Sequence, residues 1–498
     1  MSLAILTCRA QLGVAAPSVT IEVFLSGGLP TFAIVGLAET AVRESKDRVR
    51  GAIMSSNFKF PQQRITVNLG PADMRKSGGR YDLGIALGIL VASGQVPGEL
   101  LSLSEFYGEL SLSGDLRPVP GILPAAIQAS KCDRSMIVAE ENAGEAALSS
   151  TRVYAAGSLL EVTAHLAGKQ KLRQAEFVEN PQSDVGVEDL RDVRGQAQAR
   201  RALEIAAAGG HNILLSGPPG AGKSMLARRL PGILPPLNYD EAIETAAVNS
   251  VLGIPFDSSR WRQRSFRAPH HTASAAALVG GGSDPRPGEI SRAHNGVLFL
   301  DELPEFSRHV LNVLREPLET GEITISRVER QADFPARFQL VGAMNPCPCG
   351  YLGDPKSDCT CSAERVKAYR AKISGPLLDR IDIQLSMQRP AKECLRADAP
   401  PGEATSVVAR RVLAVRNVQM LRSGVCNAEL DGDRMEACCI LSGSAWELLD
   451  QAMDRFVMSA RAHRRVRRVA RTIADLAGEK NISADHIGEA LGLRGLNP

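Results

Sequence analysis

No window of the 498-residue chain carries the ~18 uninterrupted apolar residues that a membrane-spanning helix needs. Residues 1–13 lack the charged, apolar and small-residue regions of a secretory signal. Together these absences argue against membrane embedding and export, and a cytoplasmic protein without a membrane partner is expected. Aromatic residues are scarce, at 4% with two Trp, and none interleaves with the basic run of residues 459–471, so a base-stacking platform is not indicated there. An excess of one charge is lacking too: 58 Lys and Arg against 55 Asp and Glu leave +3, which says nothing about partners. Ten Cys in a reducing compartment point to thiols or metal ligands rather than disulfides. The hydrophobic share of 44% and charged share of 23% describe an ordinary globular protein. Its length calls for two or three domains.

The chain is organised around residues 212–224, where a buried-strand run breaks into Gly217-Pro218-Pro219-Gly220-Ala221-Gly222-Lys223-Ser224 and then a helical run over 225–230. A Gly-rich loop between strand and helix can turn successive N–H groups onto a phosphate, and the helix adds the positive end of its dipole. Lys223 is expected to reach the β/γ-oxygens of ATP and Ser224 to hold Mg²⁺. A second apolar strand, 297–300, ends in Asp301 and Glu302, with a helix expected to open at Pro304. Asp301 is placed to bind Mg²⁺ and Glu302 to polarise the attacking water, the division of labour that phosphoryl transfer to water requires.

Residues 1–168 alternate β-like runs (19–25, 31–35, 64–69, 106–112, 135–138) with helical stretches at 38–55 and 82–93, an α+β domain of its own. The polar segment 169–187 reads as a linker. Residues 188–390 hold the nucleotide motifs, and 397–498 read as an all-helical lid.

Several runs carry a resemblance to a family. Residues 28–36, 67–73 and 107–119 resemble the Lon-protease-type domain that opens the Mg-chelatase-like AAA+ ATPases of the ComM and YifB group. Active Lon domains use a Ser–Lys dyad. Here Asp82 stands where the Ser should be, and residues 121–126 contain no Lys. Lys76 and Ser77 are adjacent in a loop and point apart, so an interaction or assembly module is expected rather than a peptidase. The segment 192–196 resembles the one that contacts adenine in AAA+ ATPases. Residues 266–272, with His270 and His271, and 280–289 are characteristic of the same group. Paired His fit a metal, or a structured loop facing a pore or a neighbouring subunit. Their position between the two nucleotide motifs is where helix-2-insert AAA+ proteins carry an added element.

The alternating run 321–335 reads as a β-hairpin with a charged tip. The resemblance implies a pre-sensor hairpin in the channel of a ring, with Arg327 and Arg330 meeting a translocating polymer; a solvated hairpin is the plainer reading. Asn345 matches the polar sensor that orients the lytic water. Cys347, Cys349, Cys359 and Cys361 follow at once and can offer four thiolates to one structural Zn²⁺, or remain reduced thiols. Arg380 matches the finger that enters a neighbour's site. Arg461, with Arg468 as the alternative, matches the second sensor arginine of the lid. The six Arg of 459–471 fit phosphate binding or an acid-paired face equally.

The resemblance implies an ATP-driven, Mg²⁺-dependent hydrolase that self-assembles into a ring, a hexamer by analogy. It also implies action on single-stranded, duplex or branched DNA: helicase and branch migration during integration of incoming DNA in natural transformation. A metal-chelatase motor and a protein-remodelling machine are the competing expectations.

Overall fold

The computed structural model describes residues 2–179, 188–282, 285–326, 331–396 and 400–495. Its N-terminal part is an eight-stranded mixed sheet in the spatial order Arg173–Ala175, Val153–Ala156, Ser135–Ala139, Ser104–Phe106, Ser2–Arg9, Ser18–Ser26, Arg64–Gly70, Thr31–Val35. Along Ser18–Ser26 the period-2 pattern sends Val19, Ile21, Val23 and Leu25 inward. They meet the helix Asp82–Ala92, which is apolar on nearly every face because the sheet and the helix Thr40–Ser55 cover it on two sides.

Two expectations need correction here. The run 106–112 is not one strand. Extended backbone survives only as Ser104–Phe106, Glu109–Leu110 and Leu116–Arg117, the last two pairing antiparallel across a turn at residues 112–114, where the Gly114 N–H donates to the Ser111 carbonyl at 3.1 Å. Residues 169–187 are not a free linker either. Arg173–Ala175 adds an antiparallel edge strand to Val153–Ala156, and Phe177 packs edge-on against Trp261 at 5.3 Å; residues 180–187 lie outside the described residues.

The central part is a five-stranded, wholly parallel sheet in the order Phe266–Arg267, Val297–Leu300, Gln339–Met344, Ile213–Ser216, Ile383–Ser386. Its three middle strands are buried at every residue, which is why they read as continuous apolar runs rather than alternating ones. The helix Tyr239–Val251 opens on a capping box in which Asn238 and Glu241 satisfy each other's backbone N–H groups. It carries Ser250 to the N-terminal part, where Gly121 donates to the Ser250 carbonyl at 2.8 Å. Leu123, Leu148, Leu237 and Trp261 close this junction. Glu145 lies beside it, 8% exposed, and its Oε1 finds no hydrogen-bond partner among the described residues.

The C-terminal part is helical: Thr405–Ser423, Gly432–Cys438, Gly443–Phe456, Ala460–Ala477 and Ala484–Gly492. Val408, Val412, Val466 and Ile473 share one continuous core with Ala202, Leu203 and Leu226 of the central part. The helical region is therefore packed as a wall of the nucleotide-motif core and has no separate core of its own. No described helix is long and apolar enough to cross a membrane.

Candidate active site

The loop 217–222 leaves the C-terminal end of Ile213–Ser216 and enters the helix Lys223–Ile233. Gly217 is required at its start, since a Cβ there would come within 2.6 Å of the Met387 carbonyl oxygen. Gly220 and Gly222 take the left-handed φ values 78° and 88° that let the loop curl. Gln196, at the end of the segment expected near adenine, donates its amide to the carbonyls of Ala221 (3.1 Å) and Gln388 (2.6 Å), pinning that segment to the loop.

Lys223 curls back so that its Nζ donates to the Gly217 carbonyl (2.6 Å), the Pro218 carbonyl (3.1 Å) and Asn345 Oδ1 (3.1 Å). Burial lowers its pKa, against the pull of Asp301 and Glu302. Ser224 Oγ donates to Asp301 Oδ2 at 2.8 Å. Two hard oxygen ligands thus meet at one point, a donor set that suits Mg²⁺. The structure thus brings Lys223 and Ser224, expected from the Gly-rich pattern, to Asp301 and to Asn345, which the family resemblance had picked out. The segment after Glu302 differs: Leu303–Glu305 is a single 3-10 turn, and the α-helix begins only at Arg308–Val313 behind the Ser307 cap.

Glu302 is half exposed and in the left-handed region at φ 52°. It does not point freely into the site. His271 Nδ1 lies 3.1 Å from Glu302 Oε2, and the His270 and His271 ring centroids are 4.2 Å apart with the planes tilted by 33°. Sequence reasoning assigned this pair to a metal or to a structured loop facing a pore or a neighbouring subunit, and missed the contact. The strand register explains it: Phe266 pairs with Val297 in parallel, so past the two strand ends, five residues on in each, His271 comes to stand beside Glu302. Parallel strands end side by side, but which strands are neighbours is not written in either one.

Arg380 and Arg461 lie elsewhere. Arg380 precedes the N-terminal end of Ile383–Ser386, whereas the phosphate loop follows the C-terminal end of the parallel, adjacent strand Ile213–Ser216. Arg380, Arg461, Arg465 and Arg468 line one cavity of about 350 Å³ with Glu319, Asp379, Glu429 and Asp431. Glu319 forms an ion pair with Arg380. Burial, with help from Arg315 and Arg461, lowers the pKa of this guanidinium against Glu319. Arg461 and its alternative Arg468 both sit with Arg380 at the opposite end of the sheet. Three of the six Arg in 459–471 are acid-paired, Arg465 with Asp382, Arg467 with Glu436 and Arg471 with Asp475, which favours the packed reading of that face.

The strands Glu322–Ser326 and Gln331–Pro335 form the expected hairpin; Arg327 and Arg330, between them in the sequence, lie outside the described residues. Cys347, Cys349, Cys359 and Cys361 bring their sulfurs within 4.8 Å of one another. Cys347 lies 3.3 Å from Cys349 and 3.6 Å from Cys359, and Cys349 lies 3.6 Å from Cys359. These separations far exceed a disulfide bond and approach the about 3.8 Å edge of a tetrahedron with Zn–S bonds near 2.3 Å. The Tyr351 N–H leads in holding the Cys349 thiol down to about 6. Cys359 is pushed up to about 12: the Cys361 N–H works against the rise, and burial and the Cys349 and Cys347 thiols drive it.

Three family models match the chain. "Magnesium chelatase, subunit ChlI" matches residues 189–395, "Subunit ChlI of Mg-chelatase" matches 21–142, and the ChlI C-terminal model matches 402–494. The competence protein ComM of Haemophilus influenzae is 50% identical over 502 residues, covering 100% of this chain and 98% of that protein. YifB of Escherichia coli, an uncharacterized protein, is 46% identical over 498 residues, with 100% and 98% covered. The magnesium-chelatase 38 kDa subunit of Cereibacter sphaeroides is 29% identical over 174 residues, or 30% of this chain and 51% of that subunit. The chain belongs to the Mg-chelatase-like AAA+ ATPase family that includes ComM and YifB.

Proposed function

We propose that the protein is an ATP-driven ring motor that translocates on DNA, with helicase and branch-migration activity that promotes integration of incoming DNA. The observation that carries the ATPase reading is the convergence of Lys223, Asn345, Ser224 and Asp301 on one loop. ATP would lie along the loop 217–222, with Ser224 and Asp301 holding Mg²⁺, Glu302 polarising water and Asn345 orienting it. Bound Mg²⁺ supplies charge stabilisation at the β- and γ-phosphates.

A ring is favoured by the separation of Arg380 and Arg461 from the phosphate loop of their own chain. Both arginines serve as the charge-stabilising groups of a neighbour's site, so a monomer is incomplete. The segment between Phe266–Arg267 and Val297–Leu300, with its short helix Ala275–Val279 and the ribbon Gly280–Gly281 with Arg286–Pro287, supplies the helix-2 insert. Arg327 and Arg330 contact the DNA in the channel. The domains run 1–168, 188–390 and 397–498, and the first is a Lon-type module without peptidase chemistry. In support, Lys76 Nζ donates to the Pro71 carbonyl, and Asp82 is buried against Ser45 and Arg48.

DNA enters this reading through the relative named a competence protein. The test is steady-state ATP hydrolysis with and without single-stranded, duplex and four-way-junction DNA at low and moderate salt. Several-fold stimulation that Arg327→Ala abolishes is expected. No stimulation by any DNA, in protein that forms rings, favours protein remodelling or a chelatase-type motor.

A further inference from the structure

The loop carrying the four cysteines is fastened to the nucleotide site at several points, yet it has no regular structure of its own from 345 to 362. It begins at Asn345, which accepts from Lys223 Nζ. Two residues on, Cys347 is fully buried and its sulfur accepts the Leu352 N–H at 3.3 Å. Gly350, at φ 86°, presses on the phosphate loop so closely that a Cβ would fall 2.8 Å from the Pro219 ring. Asp354 pairs with Arg389 at 3.4 Å, and the same guanidinium lies over the Tyr351 ring at 5.5 Å. Arg389 follows Met387, whose carbonyl abuts Gly217. One excursion of the chain therefore touches the lysine, the proline turn and the floor of the cradle.

A loop of this length without helix or strand pays its ordering entropy from few contacts. Soft sulfur donors in a tetrahedral set select zinc over the hard cations of the phosphate site, and such a cross-link supplies the missing rigidity. We propose that Cys347, Cys349, Cys359 and Cys361 bind one Zn²⁺ per chain, and that this zinc is a brace for the nucleotide site, holding Gly350 on Pro219 and Asn345 on Lys223. The inference rests on reading residues 217–224 as the nucleotide cradle.

The test combines metal analysis of the purified full-length chain with titration of a fluorescent ADP analogue. About one zinc per chain is expected. Displacing it with a mercurial thiol reagent and a chelator weakens analogue binding by about tenfold or more, as misplacement of positioning groups by an ångström does, and thiol treatment with added zinc restores it. Gly350→Ala keeps its zinc but binds the analogue about tenfold more weakly, because the new Cβ lifts the loop off Pro219. Cobalt substituted for zinc gives the absorption of a tetrahedral four-sulfur site.

Absence of metal, or iron in place of zinc, overturns the proposal. So does unchanged analogue affinity after zinc is removed, or in Gly350→Ala. A zinc-loaded chain that binds the analogue no better than Lys223→Ala overturns the nucleotide reading and the brace with it, while leaving the metal assignment standing on its own measurement.

Discussion

His271 Nδ1 is 3.1 Å from Glu302 Oε2, so the acid expected to polarise water is held by a side chain from the neighbouring strand end. The pair is partly exposed, and such pairs are worth about 0.2–1 kcal/mol. His271→Ala should therefore release Glu302 and raise DNA-free ATP hydrolysis by up to about fivefold. Loss of hydrolysis in this variant would mean that His271 sets Glu302 in its working position instead of restraining it.

Lys223→Ala should weaken nucleotide binding, because the ammonium that closes on the loop is removed. Glu302→Gln should bind nucleotide normally and lower turnover by about 10²-fold or more, the usual contribution of a general base. Equilibrium binding and single-turnover hydrolysis separate the two. Turnover retained in Glu302→Gln would remove that residue from the chemistry.

Arg380→Ala should abolish most turnover, by about 10³-fold for a finger of this kind, without changing nucleotide affinity in the same chain. The reason is its distance along the sheet from its own phosphate loop. Mixing Arg380→Ala with Lys223→Ala chains should restore part of the activity, since some interfaces then pair an intact loop with an intact arginine. Mixed rings that stay inactive at every ratio would exclude action on a neighbour.

Burial raises Glu145 at the junction of the N-terminal and central parts from 4.5 to about 7. Between those values the folded chain keeps a proton that the unfolded chain has released. The contribution of Glu145 to stability is therefore full below about pH 4.5, falls by about 3 kcal/mol as the pH rises to about 7, and is level above it. Glu145→Gln should melt at a higher temperature than the parent at pH 8 and alike at pH 4, read by thermal unfolding at both. A lower midpoint at pH 8 would show that the carboxylate is better satisfied by Ser250 and Asn142 than its burial implies.

Asn345 was picked out by the family resemblance, whereas the Gly-rich loop, the strand ending in Asp301 and Glu302 and the four-cysteine spacing were legible in the chain itself. Each depends on residues a few positions apart, where strand, turn and helix preferences are set by immediate neighbours. What the tertiary structure alone decided concerns partners far apart in the chain. The order of five parallel strands put His271 beside Glu302 and carried Arg380 to the end of the sheet away from Lys223. The C-terminal region is helical as expected, and packing alone joined its helices to the core of the central part. The cysteine loop came to rest on Pro219 for the same reason. Local periodicity says which face of a strand is buried, but adjacency in a parallel sheet is chosen by how crossover helices pack, and no window of sequence contains that choice.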